Sequence, residues 1–211
     1  ILVIEELCRG DSTIGSAVAL AAFASELILH NGTEAQKQAW LPKVAEAQVL
    51  SAGAFTEPDH GSDITRMNTT AVRDGNEWVI NGTKTFITNG GMAAYYCVLC
   101  QTDADITPSH RGMSVILVEG DRAGVSTADV GRKMGIRMMA TTEVNFKDVR
   151  VPLENLIGGI ILYADQPVKV GDVCRFGNLR GTIEDVGLRS VKIRTLDRTI
   201  VTVPNADFAK M

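Results

Sequence analysis

An α+β chain is predicted by a change of rhythm near Leu50. Before it, apolar residues recur at three- and four-residue spacing, as on one face of a helix. After it, short apolar runs alternate with polar residues between turn signals such as Asp74-Gly75-Asn76 and Asn81-Gly82, as in strands. A third observation divides the β part. From Pro167 the strands become more compact and the charge reverses. Residues 160–211 hold 8 Lys and Arg against 6 Asp and Glu, net +2, whereas residues 1–159 hold 13 against 19, net −6.

The helices come first. Ile1–Arg9 carries Leu, Val and Ile at helical spacing, and because it begins in what reads as mid-helix, the chain is expected to be a fragment at its N-terminus. Asp11 or Ser12 can cap the next helix, which is predicted to run to about His30 and to stop at Asn31-Gly32. Thr33 and Gln36 have the T-x-x-Q spacing of a capping box ahead of Ala39, Trp40, Leu41 and Val44. Pro42 lies inside that pattern and predicts a bend or break. Ile14–Leu29 is the most apolar stretch. It is interrupted by Glu26 and is shorter than the ~20 residues a bilayer needs, so a core helix is predicted and no transmembrane segment.

The strands follow. Ala71–Lys84 reads as strand, Asp-Gly-Asn turn, strand and Asn-Gly turn. Phe86–Thr88, Ala94–Gln101, Met113–Glu119, Gly124–Asp129 and Glu143–Phe146 continue as short strands. Together they predict a barrel or sandwich. In the last part, Val168–Phe176, Leu179–Val186, Ser190–Thr195 and Thr199–Val203 are strands, with Leu196–Thr199 as a hairpin turn. No polar linker separates the two β regions, although independent domains are usually joined by one.

Bulk properties exclude several classes. At 211 residues, 45% hydrophobic and 22% charged, the chain is long and apolar enough for one or two domains with a core. A net charge of −4 gives no footing for nucleic acid. Four unevenly placed cysteines, Cys8, Cys97, Cys100 and Cys174, do not form a disulfide framework, so a reducing, cytoplasmic compartment is expected. Cys97 and Cys100 stand three apart in a strand, on opposite faces, and read as core rather than as a metal or redox pair. His30, His60 and His110 are scattered and suggest neither a triad nor a metal site. The G-x-G-x-x-G fingerprint is absent.

Two stretches carry chemistry. In AFTEPDHGSD, Ala54–Asp63, a strand end and a Pro turn bring backbone N–H groups and the hydroxyls of Thr56 and Ser62 into one loop, which can meet an anion or the edge of a heteroaromatic ring. Taken alone it reads better as a helix-to-barrel connection with Ser62 or Asp63 as a cap. In NGTKTFITNGG, Asn81–Gly91, Phe86, Ile87 and Thr88 stand between two Asn-Gly pairs, and taken alone they read as a hairpin with a core Phe.

In this order and spacing, with GTEAQKQAWLPKVAEAQ before them and RGMSVILVE, GRKMGIR and VNFKDVRVPLENLIGG after, these stretches closely resemble the acyl-CoA dehydrogenase family. The resemblance covers residues 1–159. It implies a partial N-terminal helical domain, 1–50, and a flavin-facing β-barrel, 51–159. By position it implies that Phe55 and Thr56 contact the isoalloxazine of FAD, that Ser62 meets the flavin phosphates and the acyl-CoA substrate, and that Phe86, Ile87 and Thr88 flank the ring near its reactive nitrogen. The family also uses an electron-transfer acceptor and homo-oligomer contacts. Its carboxylate base belongs to a C-terminal helical domain, at which point this chain leaves the family pattern. Glu57 occupies a structural loop position and is rejected as a substitute, so no catalytic residue and no activity of the chain alone are expected.

The tail, DQPVKVGDVCRFGNLRGTIEDVGLRSVKIRTLDRTIVTVPNADF, Asp165–Phe208, resembles the small Sm-like β-domain of small-conductance mechanosensitive channels through P-V-K-V-G-D, G-L-R-S and V-P-N-A. In that family it belongs to a heptameric vestibule, and no membrane helix accompanies it here. Residues 160–211 are expected to be this domain, an oligomerisation module in the alternative reading. Leu153–Gly159 fits both families, as expected for a chimera joined inside a shared word.

Overall fold

The computed structural model describes residues 1–157, 173–176, 179–186, 190–195, 197 and 199–204. The chain divides into two units, Ile1–Ile157 and Gly158–Met211. Expectations for Gly158, Gly159, Val168–Asp172, Gly177, Arg189 and Leu196 lie outside the described residues.

The first unit starts with α1, Leu2–Gly10, and α2, Ser12–Leu20. The Asp11 carboxylate accepts hydrogen bonds from the amides of Thr13 (2.8 Å) and Ile14 (3.0 Å), which caps α2 as predicted. The long helix expected to reach His30 is two helices. It breaks before α3, Ser25–Asn31, at Ala24, which has φ 70°. Tertiary bonds take the backbone groups that would continue the turn. Ser51 N–H donates to Ala21 O at 3.1 Å, and the Asn89 side chain donates to Leu20 O at 2.7 Å. In α4, Glu34–Ala45, the capping box of Thr33 and Gln36 is present in both directions, and the helix runs through Pro42 without a break. Pro42 stands in the last turn, where the missing N–H forfeits one helical bond only.

The strands are β1 Leu50–Ala54, β2 Thr70–Asp74, β3 Glu77–Thr88, β4 Ala93–Gln101, β5 Met113–Glu119, β6 Val125–Asp129, β7 Thr141–Pro152 and β8 Leu156–Ile157. They form a mixed sheet in the order β6-β7-β3-β2-β4-β5-β8, with β1 parallel to β4. The expected closed barrel is not formed, since β6 and β8 are the two ends and do not pair with each other among the described residues. One edge of β4 is divided. β1 occupies it from Ala93 to Val98, and β2 touches it through the single pair Thr70↔Gln101. The two groups of strands on either side of this joint share one buried core that includes Ile80, Phe146 and Val149 from one side and Tyr96, Val98 and Ile116 from the other.

Asn81-Gly82 is not a turn. β3 passes through it, and the register with β7 shifts between Ile80 and Gly82. Gly82 has φ 149°, and a Cβ there would stand 2.6 Å from Thr69 Cα, so the glycine serves a close approach of backbones. At the end of the unit, a 3₁₀ turn over Leu153–Asn155 leads into β8, which pairs with Val115 and Ile116 of β5. Gln36 donates to Glu154 O at 2.7 Å and Asn155 to Leu117 O at 2.9 Å, so this segment is tied to both helix and sheet.

The second unit contains β9 Val173–Phe176, β10 Leu179–Val186, β11 Ser190–Thr195 and β12 Ile200–Pro204, antiparallel in the order β12-β11-β10-β9. Ile183, Val191, Ile193 and Val203 form its core, while Lys192 and Arg194 are exposed on β11.

Candidate functional site

Two chain segments meet at the edge of the first unit. β1 ends at Ala54 and continues through Phe55 and Thr56, while β3 ends with Thr85–Thr88. The Thr85 amide donates to Thr56 O at 2.9 Å, which lays the two segments side by side. Four of the six expected flavin-facing residues present side chains there. Phe55 is half-buried and meets Phe23 edge-on, with ring centroids 6.4 Å apart. Thr56 and Thr88 are half-buried. Phe86 is 66% exposed, which overturns the reading of a hairpin with a core Phe.

The reason lies in a second shift of the β3–β7 register, between Lys84 and Ile87. It leaves Thr85 and Phe86 outside the ladder, and Phe86 takes φ 57°, a conformation that a non-glycine residue adopts at a cost. Inside–outside alternation fails here: Lys84, Thr85 and Ile87 are buried and Phe86 alone is out. Ile87 is 2% exposed and its side chain belongs to the core, so that position can offer a ligand only its backbone. Ser62 lies in the exposed loop beyond Glu57, next to Gly61, where a Cβ would stand 3.8 Å from Thr56 Cγ2.

Asn89 anchors the end of β3. It has φ 63° and is buried, and its amide nitrogen donates to Leu20 O and to Ser51 O (2.9 Å). Its N–H donates to Ala140 O at 3.0 Å and its carbonyl accepts from Ala93 N–H at 2.9 Å. One residue thus joins α2, β1, β4 and the start of β7. Thr88 pairs with Thr141, beyond which Arg132, Lys133, Arg137, Met139 and Thr142 line a concavity of about 430 Å³.

Behind the surface stands a buried ion pair. Lys84 Nζ lies 2.9 Å from Glu57 Oε1, and both side chains are essentially inaccessible. Glu57 also accepts from the amides of Asn68 (2.6 Å) and Thr69 (2.8 Å). Burial works against its charge, but the hydrogen bonds from Thr69, Lys84 and Asn68 outweigh it and hold the carboxyl below its usual pKa. Burial pulls the Lys84 ammonium down, with Glu57 opposing. Both oxygens of this carboxylate are thus taken by protein donors, and the side chain is out of reach of solvent. Sequence reasoning missed both Lys84 and Asn89. The available signal for the first was a lysine in the interior of a strand whose neighbours are apolar or small.

Cys97 and Cys100 are both buried in β4, and burial pushes both thiols up to about 12, which makes them inert core residues. His30 lies in α3, His60 in the loop after β1 and His110 in the turn before β5. Among the described residues, no group of three metal-ligating side chains converges, and no helix is long and apolar enough to cross a membrane.

A helical N-terminal part is thus followed by a mixed sheet, at one edge of which the Phe55–Thr56 and Thr85–Thr88 segments lie side by side with Phe86 exposed. Residues 1–149 carry the N-terminal and middle domains of the acyl-CoA dehydrogenase family. Residues 1–48 match "Acyl-CoA dehydrogenase, N-terminal domain" and residues 52–149 "Acyl-CoA dehydrogenase, middle domain". Residues 151–211 match "Mechanosensitive ion channel, beta-domain". The chain is 41% identical to the (2S)-methylsuccinyl-CoA dehydrogenase of Cereibacter sphaeroides over 169 residues, covering 76% of this chain and 30% of that protein. An acyl-CoA dehydrogenase of Geobacillus kaustophilus superposes with a TM-score of 0.68 at 41% identity, over 74% of this chain and 41% of the other. A glutaryl-CoA dehydrogenase of Mycobacterium smegmatis, solved in complex with FADH2, superposes with a TM-score of 0.67 at 36% identity, over 74% and 39%. The chain therefore spans 30 to 41% of the length of these relatives.

Proposed function

We propose that the first unit is the flavin-facing part of an FAD-dependent acyl-CoA dehydrogenase, which oxidises an acyl-CoA thioester to enoyl-CoA. The observation that carries the reading is the Thr85–Thr56 hydrogen bond. It brings two segments 29 positions apart, each singled out for the same cofactor, onto one surface. The groups present fit a flavin. Phe86 offers an exposed aromatic face, and the Thr56 and Thr88 hydroxyls are half-buried with no protein partner among the described residues.

FAD, when bound, supplies the acceptor for the hydride leaving the β-carbon. Phe55, Thr56 and Phe86 would hold its ring, Thr88 and the backbone of Ile87 would support the charge that the ring gains, and Ser62 would serve the phosphates and the acyl-CoA. Removal of the α-proton is assigned to no residue of this chain, since Glu57 is fully occupied. The 211 residues alone are accordingly inactive in this reading. Acyl-CoA, an electron-transfer acceptor and further copies of the chain are the partners, in the cytoplasm.

A FAD titration of the purified chain tests this. The expected result is a structured visible band with quenched fluorescence, and an affinity reduced about tenfold in Thr88→Ala, the loss of one hydrogen bond to a charge-bearing group. A spectrum of free flavin only sinks the reading.

The match of residues 151–211 and the four-stranded antiparallel sheet support a second reading for the tail, an Sm-like channel β-domain acting in oligomerisation. We read the whole as a chimera of two parents joined within Leu153–Gly159.

A further inference from the structure

The flavin reading leaves one buried device unused. Lys84 is 0% exposed, yet all of its donor capacity is directed: Nζ lies 3.1 Å from Phe55 O, 2.9 Å from Glu57 Oε1 and 3.3 Å from Met67 Sδ. A buried pair of this kind is poorly explained by stability alone, because well-packed apolar residues of the same volume serve as well or better. What an apolar pair cannot supply is direction. The ammonium grips the carbonyl of Phe55 from inside, Glu57 grips the ammonium, and the Asn68 and Thr69 amides grip Glu57. The chain is therefore fixed at Phe55, Glu57, Asn68 and Thr69. Between Glu57 and Asn68 lies the exposed loop that carries Ser62.

Thr56 stands between the two residues that Lys84 holds, and its own carbonyl accepts from Thr85, the neighbour of Lys84. Phe86, two residues on, points to solvent while Lys84 points inward. Lys84 thus cannot touch a ligand on the Phe86 surface and can act on it only through the backbone of Phe55 and Thr56.

We propose that Lys84 is a positioning residue for the flavin surface: clamped by Glu57, its ammonium holds the Phe55 carbonyl and so fixes Thr56 beside Thr85–Thr88. This rests on the flavin reading of that surface. Without the clamp, the β1 end is tied to β3 by the Thr85–Thr56 backbone bond alone, and the Thr56 hydroxyl and Phe55 ring are held less firmly in place when FAD arrives.

Two variants test the proposal in the full chain. Lys84→Met keeps the side-chain length but leaves Glu57 without its partner, and its folding is at risk. The double variant K84M/E57Q removes both charges and is the one expected to fold. Two quantities are measured in it: the FAD dissociation constant with the visible band, and amide hydrogen exchange at Thr85 relative to β4. The expected result is at least a tenfold weaker FAD affinity and an unstructured flavin band. Exchange at Thr85 is expected to be at least tenfold faster, with Tyr96–Leu99 unchanged. FAD affinity within twofold of the parent overturns the proposal, as does Thr85 exchange that changes only in step with β4, since a merely structural pair gives both. If the parent chain itself binds no FAD, the flavin reading fails, and Thr85 exchange alone then decides the clamp: local acceleration upholds it and no acceleration removes it.

Discussion

Lys84 and Glu57 lie 27 positions apart, and neither one alone announces the other. The consequence for pH can be worked out with its sign. The carboxyl of Glu57 has a folded pKa below its usual value. Its contribution to stability is therefore complete above the unfolded pKa of about 4.3 and is lost as pH falls through the lower folded value. Glu57→Gln leaves Lys84 buried and unpaired, at a cost of roughly 3–5 kcal/mol near neutral pH. Urea denaturation from pH 7 down to pH 3 is expected to show that gap, and to show it narrowing once the pH drops below about 4.3. A constant gap would exclude the carboxylate as its source. At this scale the sequence does not tell which residues of the Phe86–Thr88 word face outward: Ile87 turns its side chain into the core while Phe86 is exposed, because a register shift in the β3–β7 ladder decides which side each residue faces.

Most of the strands and the capping of α2 and α4 could be read from local rules, since turn residues and capping side chains act within a few positions of where they stand. The failures share one cause. The break between α2 and α3, the straight run of β3 through Asn81-Gly82 and the open sheet each depend on a partner distant in sequence. For the helix break that partner is Asn89, whose side chain reaches Leu20 at a separation of 69 residues and Ser51 at 38. Asn89→Ala removes both buried hydrogen bonds and forces alanine into a left-handed conformation, for an expected loss of about 2–4 kcal/mol. Asn89→Gly is expected to recover roughly 1 kcal/mol of that, because glycine accepts the positive φ. The urea midpoints of the two variants, measured by circular dichroism, should differ in that order. Equal midpoints would show that the backbone conformation costs nothing there.

The two units each hold a core of their own. Residues 151–157 match the channel β-domain, yet β7 and β8 carry them as part of the dehydrogenase sheet. Residues 151–157 are thus built into the sheet of the first unit. A chain ending at Ile157 is expected to unfold at the same urea midpoint as the first unit of the full chain, whereas one ending at Val149 loses β8 and is expected to be weaker. Light scattering on the same pair bears on the tail: a mass for the 211-residue chain that is a multiple of its own, with a monomeric 157-residue chain, assigns assembly to the second unit, and equal states deny it that role. The change from helices to strands near Leu50 was legible in the sequence through the change of period, whereas the pairing of Leu156 and Ile157 with β5 joins residues about forty positions apart and leaves no local signal.

Phe86 joins an exposed aromatic ring to a backbone conformation that any folding-only selection would rather give to glycine or asparagine. In a mutagenised library sorted for solubility, that position should drift away from aromatics. The same library sorted for yellow colour should keep them. The identity enriched at position 86 would then report what the population had been kept for: holding a shape, or holding a pigment.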